Sequence, residues 1–259
     1  MQYGTCCIRT MACGLIVGIN NEQSIATGCA EAFAHAGLRL AATYYSHHNR
    51  EFLESQKITL NLDEILPLDA RDDAQLDAVF YAVEQRWQKL DFLLHSIAFA
   101  PKADLQGRIV DCSRAGFAEA MDLSVHSLIR MARHAEALMP NGGSILTVSY
   151  YGGDHVVPHY NMMGPVKAAL EGTVKYLAAE LGPRGIRVNA LSPGPILTRA
   201  ASGIADFDDL ISASQARAPV PESVTTADVG AMAAFLVSDA AQHMTGNVIY
   251  VDCGYHIMG

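Results

Sequence analysis

Apolar residues fall along the chain in short runs separated by longer amphipathic stretches, and this alternation predicts strands and helices in turn. Gly14 to Val17 is an apolar run ending at Gly18, and Ser24 to Ala36 then carries small and apolar residues at helical spacing. Leu38 to Thr43 reads as a second strand, Glu64 to Leu68 as a third ending at Asp69, Asp72 to Lys89 as a helix and Asp91 to Ile97 as a fourth strand. A loop, A-F-A-P-K-A-D-L, follows with Pro101, and two helical stretches then cover roughly Arg114 to Met139. Gly142 to Ser149 predicts a fifth strand. Pro165 cannot sit deep in a helix, so the next helix begins only a few residues earlier and runs to about Leu181. Tyr160 then stands at or just before that helix, with Lys167 in its second turn. Ile186 to Leu191 is a sixth strand, A-A-S-G-I-A-D-F-D-D-L-I-S-A a small amphipathic helix bounded by Gly203 and Pro219, Asp228 to Ser238 a last core helix, and Asn247 to Val251 a last strand.

Strands and helices alternating at these lengths imply an α/β fold, a doubly wound parallel sheet with helices on both faces, whose ligands lie beyond the carboxyl ends of the strands. Gly18, Tyr45, Asp69 and Ile97 all fall at such ends, and strand five delivers Ser149 and Tyr150 to the same edge. No linker divides residues 1–259, so a single domain is expected, with Met1 to Ala12 as a frayed extension. The segment 198–218, a helix between flexible ends over the ligand edge, reads as a lid.

Composition narrows the function. Half of the residues are hydrophobic and few are aromatic, which permits a large aliphatic core, and a net charge of −9 argues against general nucleic-acid binding. The cysteines Cys6, Cys7, Cys13, Cys29, Cys112 and Cys253 follow no paired framework, which fits reduced thiols in a cytoplasmic protein. The apolar run after Arg9 has the look of a secretion leader, but it leads directly into the Gly18 turn, and removing it would remove a strand. No apolar run is long enough to span a bilayer. His47 and His48 read as surface residues, and Asp154, His155 and His159 lack the spacing of a metal site.

The candidate chemistry lies in S-Y-Y-G-G-D-H-V-V-P-H-Y-N-M-M-G-P-V-K, from Ser149 to Lys167. A phenol from Tyr150 or Tyr160 can donate to a developing oxyanion, and the Lys167 ammonium can support that role and bind a ribose hydroxyl. The turn G-I-N-N-E-Q-S-I-A-T-G places Ser24 at a helix entry, where a serine caps the helix and offers hydroxyl and N–H groups to a pyrophosphate. Core tyrosines and an ordinary capped turn are the plainer alternatives for these features.

Taken together, G-x5-S-I-A, H-S-I-A-F-A-P, Y-N-x-M-G-x-x-K, G-I-R-V-N-A-L-S-P-G-P-I-x-T, A-A-S-G-I-x-D-F and Y-V-D-x-G resemble the short-chain dehydrogenase/reductases, in particular their divergent branch of bacterial enoyl-acyl-carrier-protein reductases. The resemblance covers Gly14 to Gly254 and implies a Rossmann-type enzyme. Ordinary members carry Tyr-x-x-x-Lys with a serine upstream; counted back from Lys167, those places hold Met163 and Tyr150. Tyr160, seven residues before Lys167, takes the phenol role. That displacement suits a 2-enoyl thioester, where hydride goes to the β-carbon and charge develops on the more distant thioester oxygen. The resemblance thus implies Tyr160 and Lys167 as catalytic residues, with Tyr150 in support, in the reduction of trans-2-enoyl thioesters for fatty acid biosynthesis.

By the same resemblance Gly18, Ser24 and Ile25 would bind pyrophosphate and ribose, Asp69 and Ala70 the adenine, and Ile97 and Lys167 the nicotinamide side. Ile196 would contact the carboxamide and Thr198 would lie near the phosphates, with Tyr45, Ser96, Ala98 and Pro195 as further cofactor contacts. Ala98, Phe99, Ala100 and Met163 would form the acyl pocket with Tyr150 and Tyr160, and Ala200, Ala201, Ile204 and Phe207 its lid. The segment T-Y-Y-S-H-H-N after strand two holds neither a cation for a 2′-phosphate nor an acid for a 2′-hydroxyl, Arg50 being the nearest strong cation; NADH is favoured over NADPH. The partners implied are an acyl carrier protein and further copies of the chain in a homotetramer. Asp206, Asp208 and Asp209 make the lid acidic, which leaves a CoA thioester as an alternative carrier, and Cys253 replaces the usual second glycine of V-D-G-G. Another short-chain reductase and a non-catalytic dinucleotide-binding protein remain as rival readings.

Overall fold

The strands predicted by the apolar runs form one sheet of seven, all parallel, in the order β3-β2-β1-β4-β5-β6-β7. The computed structural model describes residues 12–198 and 207–258. The expected extension up to Met11, with Cys6 and Cys7, and the lid residues Ala200, Ala201, Ile204 and Asp206 lie outside the described residues.

In chain order the strands are β1 (Cys13–Val17), β2 (Arg39–Tyr44), β3 (Leu62–Pro67), β4 (Phe92–His95), β5 (Gly143–Val148), β6 (Ile186–Pro193) and β7 (Val248–Val251). β1 and β4 are buried throughout, as helices on both faces require of central parallel strands. The helices α1 (Ile25–His35) and α9 (Thr226–Val237) cover one face; α3 (Asp73–Trp87), α6 (Ser127–Leu138) and α7 (Met163–Leu181) cover the other. Gly28 of α1 and Gly230 of α9 let the two backbones touch: a Cβ on Gly28 would overlap the Thr226 carbonyl, and one on Gly230 the Gly28 carbonyl. That contact fixes the entrance of α1 against the sheet. Phe33 and Phe92 pack at 4.7 Å between ring centres, and Gly14 leaves room for the Phe92 ring. Each such buried ring contributes about 2–3 kcal/mol.

Three elements differ from expectation. The segment after β2 is a helix, α2 (His47–Ser55), opened by a reciprocal cap in which Asn49 N–H donates to Ser46 Oγ and Ser46 N–H donates to Asn49 Oδ1, each at 3.2 Å. Part of the Pro101 loop coils into α4 (Lys102–Gln106). The two helical stretches expected near Arg114 are one run, α5 (Arg114–Met121) continuing through a π-turn (Asp122–His126) into α6. Downstream, α7 begins at Met163, which leaves Tyr160 just outside it and Pro165 in its first turn, where the missing N–H costs nothing. The remaining helix, α8 (Phe207–Arg217), lies in the segment expected to form the lid. Among the described residues no helix is long and apolar enough to cross a membrane.

Candidate active site

The carboxyl ends of the strands frame an open cavity of about 360 Å³. Eleven residues expected to bind a cofactor line it: Gly18, Ser24, Ile25, Tyr45, Asp69, Ala70, Ser96, Ile97, Ala98, Lys167 and Thr198, joined by Phe99 from the acyl set. The wall between β1 and β4 is built for close approach. Gly18 has φ +109°, and a Cβ there would overlap the Ser96 carbonyl oxygen, so the turn after β1 closes down on the end of β4.

Ser24 occupies the position before α1, but its side chain makes no capping bond. Its hydroxyl is held instead by the Asn21 carbonyl at 3.0 Å and the Thr27 hydroxyl at 2.8 Å, because Thr27 sits one turn on and shares the same acceptor. The expected cap is therefore corrected: the side chain shapes the turn, Thr27 N–H donates to the Ser24 carbonyl at 3.0 Å, and the N–H groups of Ile25 and Ala26 remain for an anion at the positive end of α1. Asn49 Nδ2 donates to the Asn20 carbonyl at 2.8 Å and ties that turn to α2.

Pro195 and Ile196 are the two cofactor positions that do not line the cavity. Ile196 packs against the core under α1 and α9, because Gly194 brings this loop against Asp252 beyond β7. Of the acyl set, Ala100 and Tyr150 pack at the margin of the other core, whereas Tyr160 and Met163 are buried in it. Phe207 is buried at the start of α8.

Tyr150 and Tyr160 meet edge to face with ring centres 4.9 Å apart, and Tyr160 also packs on Gly152. Burial raises both phenols far above their ordinary range, Tyr160 further through Tyr150 and Glu171, so both are protonated donors at neutral pH. The Tyr150 hydroxyl is buried with no protein partner, an orphaned donor. Lys167 is also buried, and its ammonium donates to the Val148 carbonyl at 2.7 Å. Desolvation pushes it down to about 8, with Glu171 on the next turn pulling the other way. Glu171 in turn accepts from Ser149 at 2.6 Å, while burial raises its carboxyl.

Sequence reading missed several residues that shape the site. In the π-turn, Ser124 accepts from the Phe99 N–H at 3.0 Å and donates to the Phe99 carbonyl at 3.1 Å, clamping the loop after β4. One turn on, Ser127 bonds His95 Nε2 at 2.8 Å, and Thr147 bonds Nδ1 at 2.9 Å. Burial lowers His95 to about 3, so the ring is neutral and joins β4, β5 and α6. Arg71, also missed, lies on the cavity wall in an ion pair with Asp69 at 2.8 Å. Its signal was the D-A-R-D run ending strand three. His155 stacks on Tyr151 and pairs with Asp154 at 3.1 Å; among the described residues no three metal-ligating side chains converge.

The fit to a dinucleotide rests on the glycine cradle of Gly18 against Ser96, the open end of α1, and the buried Lys167 on one continuous wall. Comparison with known proteins points the same way. A family model described as Enoyl-(Acyl carrier protein) reductase matches residues 18–256. An NADH enoyl-acyl-carrier-protein reductase, FabI, of Synechocystis is 47% identical over 251 residues, covering 94% of this chain and 96% of the relative. Its counterpart named reductase 1 in Rhizobium meliloti is 47% identical over 246 residues, covering 95% and 90%. Among solved structures, the Anaplasma phagocytophilum reductase in complex with NAD superposes with a TM-score of 0.92 at 43% identity, covering 96% of this chain and 95% of that one. The Bacillus cereus reductase with NADP+ and an indole naphthyridinone gives 0.93 at 42% identity, covering 96% and 97%.

Proposed function

The chain belongs to the enoyl-(acyl carrier protein) reductase family, and we propose on that premise that Tyr160 and Lys167 are the groups with which it reduces a trans-2-enoyl thioester with NADH. The carrying observation is the placement of Tyr160, seven residues before Lys167, buried and protonated just ahead of α7. Bound NADH supplies the hydride. Tyr160 donates to the thioester oxygen, on which charge accumulates once the β-carbon is reduced, and a proton taken up at the α-carbon then completes the saturated thioester. Lys167, on the cavity wall, would hold a ribose hydroxyl of the cofactor and add positive potential to the site. Its ammonium, pushed down to about 8, is still protonated at neutral pH. Tyr150, its hydroxyl unspent within the protein, borders the acyl chain as a second donor.

Gly18, Ser24 and Ile25 would hold the pyrophosphate, Tyr45, Asp69 and Ala70 the adenosine, and Ser96, Ile97 and Ala98 the nicotinamide end, with Thr198 near the phosphates. Phe99, Ala100, Met163 and Phe207 would enclose the acyl chain. The thioester is carried by an acyl carrier protein in this reading, and the chain works as a homotetramer. Apolar Phe117 and Ile129, exposed on α5 and α6, and the partly exposed edge strand β7 support an assembly.

The test follows nicotinamide absorbance with crotonyl thioesters on carrier protein and on CoA, each with NADH and with NADPH. Turnover is expected to be fastest with NADH and the carrier-bound substrate. No turnover in any combination would overturn the reading, and faster turnover of the CoA ester would overturn the choice of carrier.

A further inference from the structure

The segment after β2 offers no charged residue to distinguish a ribose 2′-hydroxyl from a 2′-phosphate, yet the structure brings one there from the next strand. Tyr45 follows β2, and Arg71 lies two residues beyond Asp69 at the end of β3. They meet at the cavity mouth, where Arg71 Nη2 donates to the Tyr45 hydroxyl at 2.8 Å. The same guanidinium forks onto Asp69, with Nε at 2.9 Å from one carboxylate oxygen and Nη2 at 2.8 Å from the other. Arg130, from α6, donates to the Ala70 carbonyl at 2.7 Å and pairs with Asp73 at 2.8 Å, pinning the loop from behind.

In doubly wound folds the place after the second strand is where an acid takes a ribose 2′-hydroxyl or an arginine takes a 2′-phosphate. Here the arginine is present but its fork is filled by a carboxylate, the geometry that would otherwise receive a phosphate. A 2′-phosphate reaching Arg71 also meets the Asp69 charge, a repulsive element against the wrong cofactor. We propose that the Asp69–Arg71–Tyr45 clasp selects the cofactor, with Asp69 masking Arg71 and so setting the preference for NADH. This rests on the reading of the chain as an NADH-dependent reductase. It places selection in a pair on the loop after the third strand, and it makes Arg71 a phosphate receptor that one substitution unmasks.

The test is titration of NADH and NADPH, followed by nicotinamide fluorescence without substrate, on the wild type, Asp69→Asn, and Asp69→Asn with Arg71→Gln. Any contact of Asp69 with adenine is common to both cofactors, so the ratio of their affinities isolates the clasp. The ratio is expected to move toward NADPH by about tenfold in Asp69→Asn, the worth of a charge-assisted hydrogen bond, and to return in the double variant. Added salt shrinks the gain. A ratio unchanged across the three proteins overturns the selector while leaving NADH binding, and the proposed activity, standing. A wild type that binds neither cofactor overturns both.

Discussion

Replacing Lys167 by Met is expected to abolish turnover and make the cofactor-free protein more stable. The ammonium is buried, and its fall from 10.5 to about 8 corresponds to about 3 kcal/mol of burden on the charged form at neutral pH. Met fills a similar volume, so packing changes little. The variant loses the bond from a charged donor to the Val148 carbonyl, worth about 2 kcal/mol, which leaves a net gain of about 1 kcal/mol. For a chain of this size that raises Tm by about 2 °C. The pH dependence has a definite sign. Below about 8 both folded and unfolded chains hold the proton, and the burden is fully present. Between about 8 and 10.5 only the unfolded chain holds it, so wild-type stability rises with pH and the advantage of the variant fades. Differential scanning fluorimetry of both proteins without cofactor, at pH 7 and pH 10, reads this difference directly. A variant melting below wild type at pH 7, or a difference that does not change with pH, would refute the claim that the lysine is held charged against its surroundings.

Three further outcomes follow from the geometry. Tyr160→Phe removes the proposed oxyanion donor and should lower kcat by about 10²- to 10³-fold with little change in NADH affinity; full activity would remove Tyr160 from the mechanism. Ser124→Ala frees both polar groups of Phe99, so KM for the enoyl substrate should rise several-fold, about 1–2 kcal/mol in kcat/KM, while Tm falls little. Gly230→Ala forces α9 away from α1, and chemical denaturation should show a loss of about 1–3 kcal/mol with weakened NADH binding; an unchanged midpoint would show that the helices can part freely.

Most of the frame was legible because central parallel strands are apolar on both faces: β1, β4, β5 and β6 stand where the apolar runs put them, within a residue or two. What escaped notice depended on partners distant in sequence or on polar local signals. The first turn of α2 reads H-H-N-R-E, without an apolar stripe, and its only clue was the Ser46–Asn49 cap. Arg71 was not legible because its bond to Tyr45 depends on β2 and β3 being neighbours in the sheet. Ser24 was given a cap that Thr27 and Asn21 pre-empt. Cys253, where the resemblance puts a glycine, has φ +57°, which explains why glycine is usual at that place.

The π-turn between α5 and α6 is also a phase step. One extra residue in a turn offsets the side chains before it from those after it by about 100°, the angle each residue advances around a helix. Within the step the helix addresses the loop after β4 through Ser124; downstream, through Ser127, it addresses the strand carrying His95. Deleting a single residue there would restore an uninterrupted α-helix, which local propensity favours, and would bring the two halves back into step. The helix could then face the loop or the strand, but not both. A length change in a helix would therefore set the loop after β4 free of the sheet.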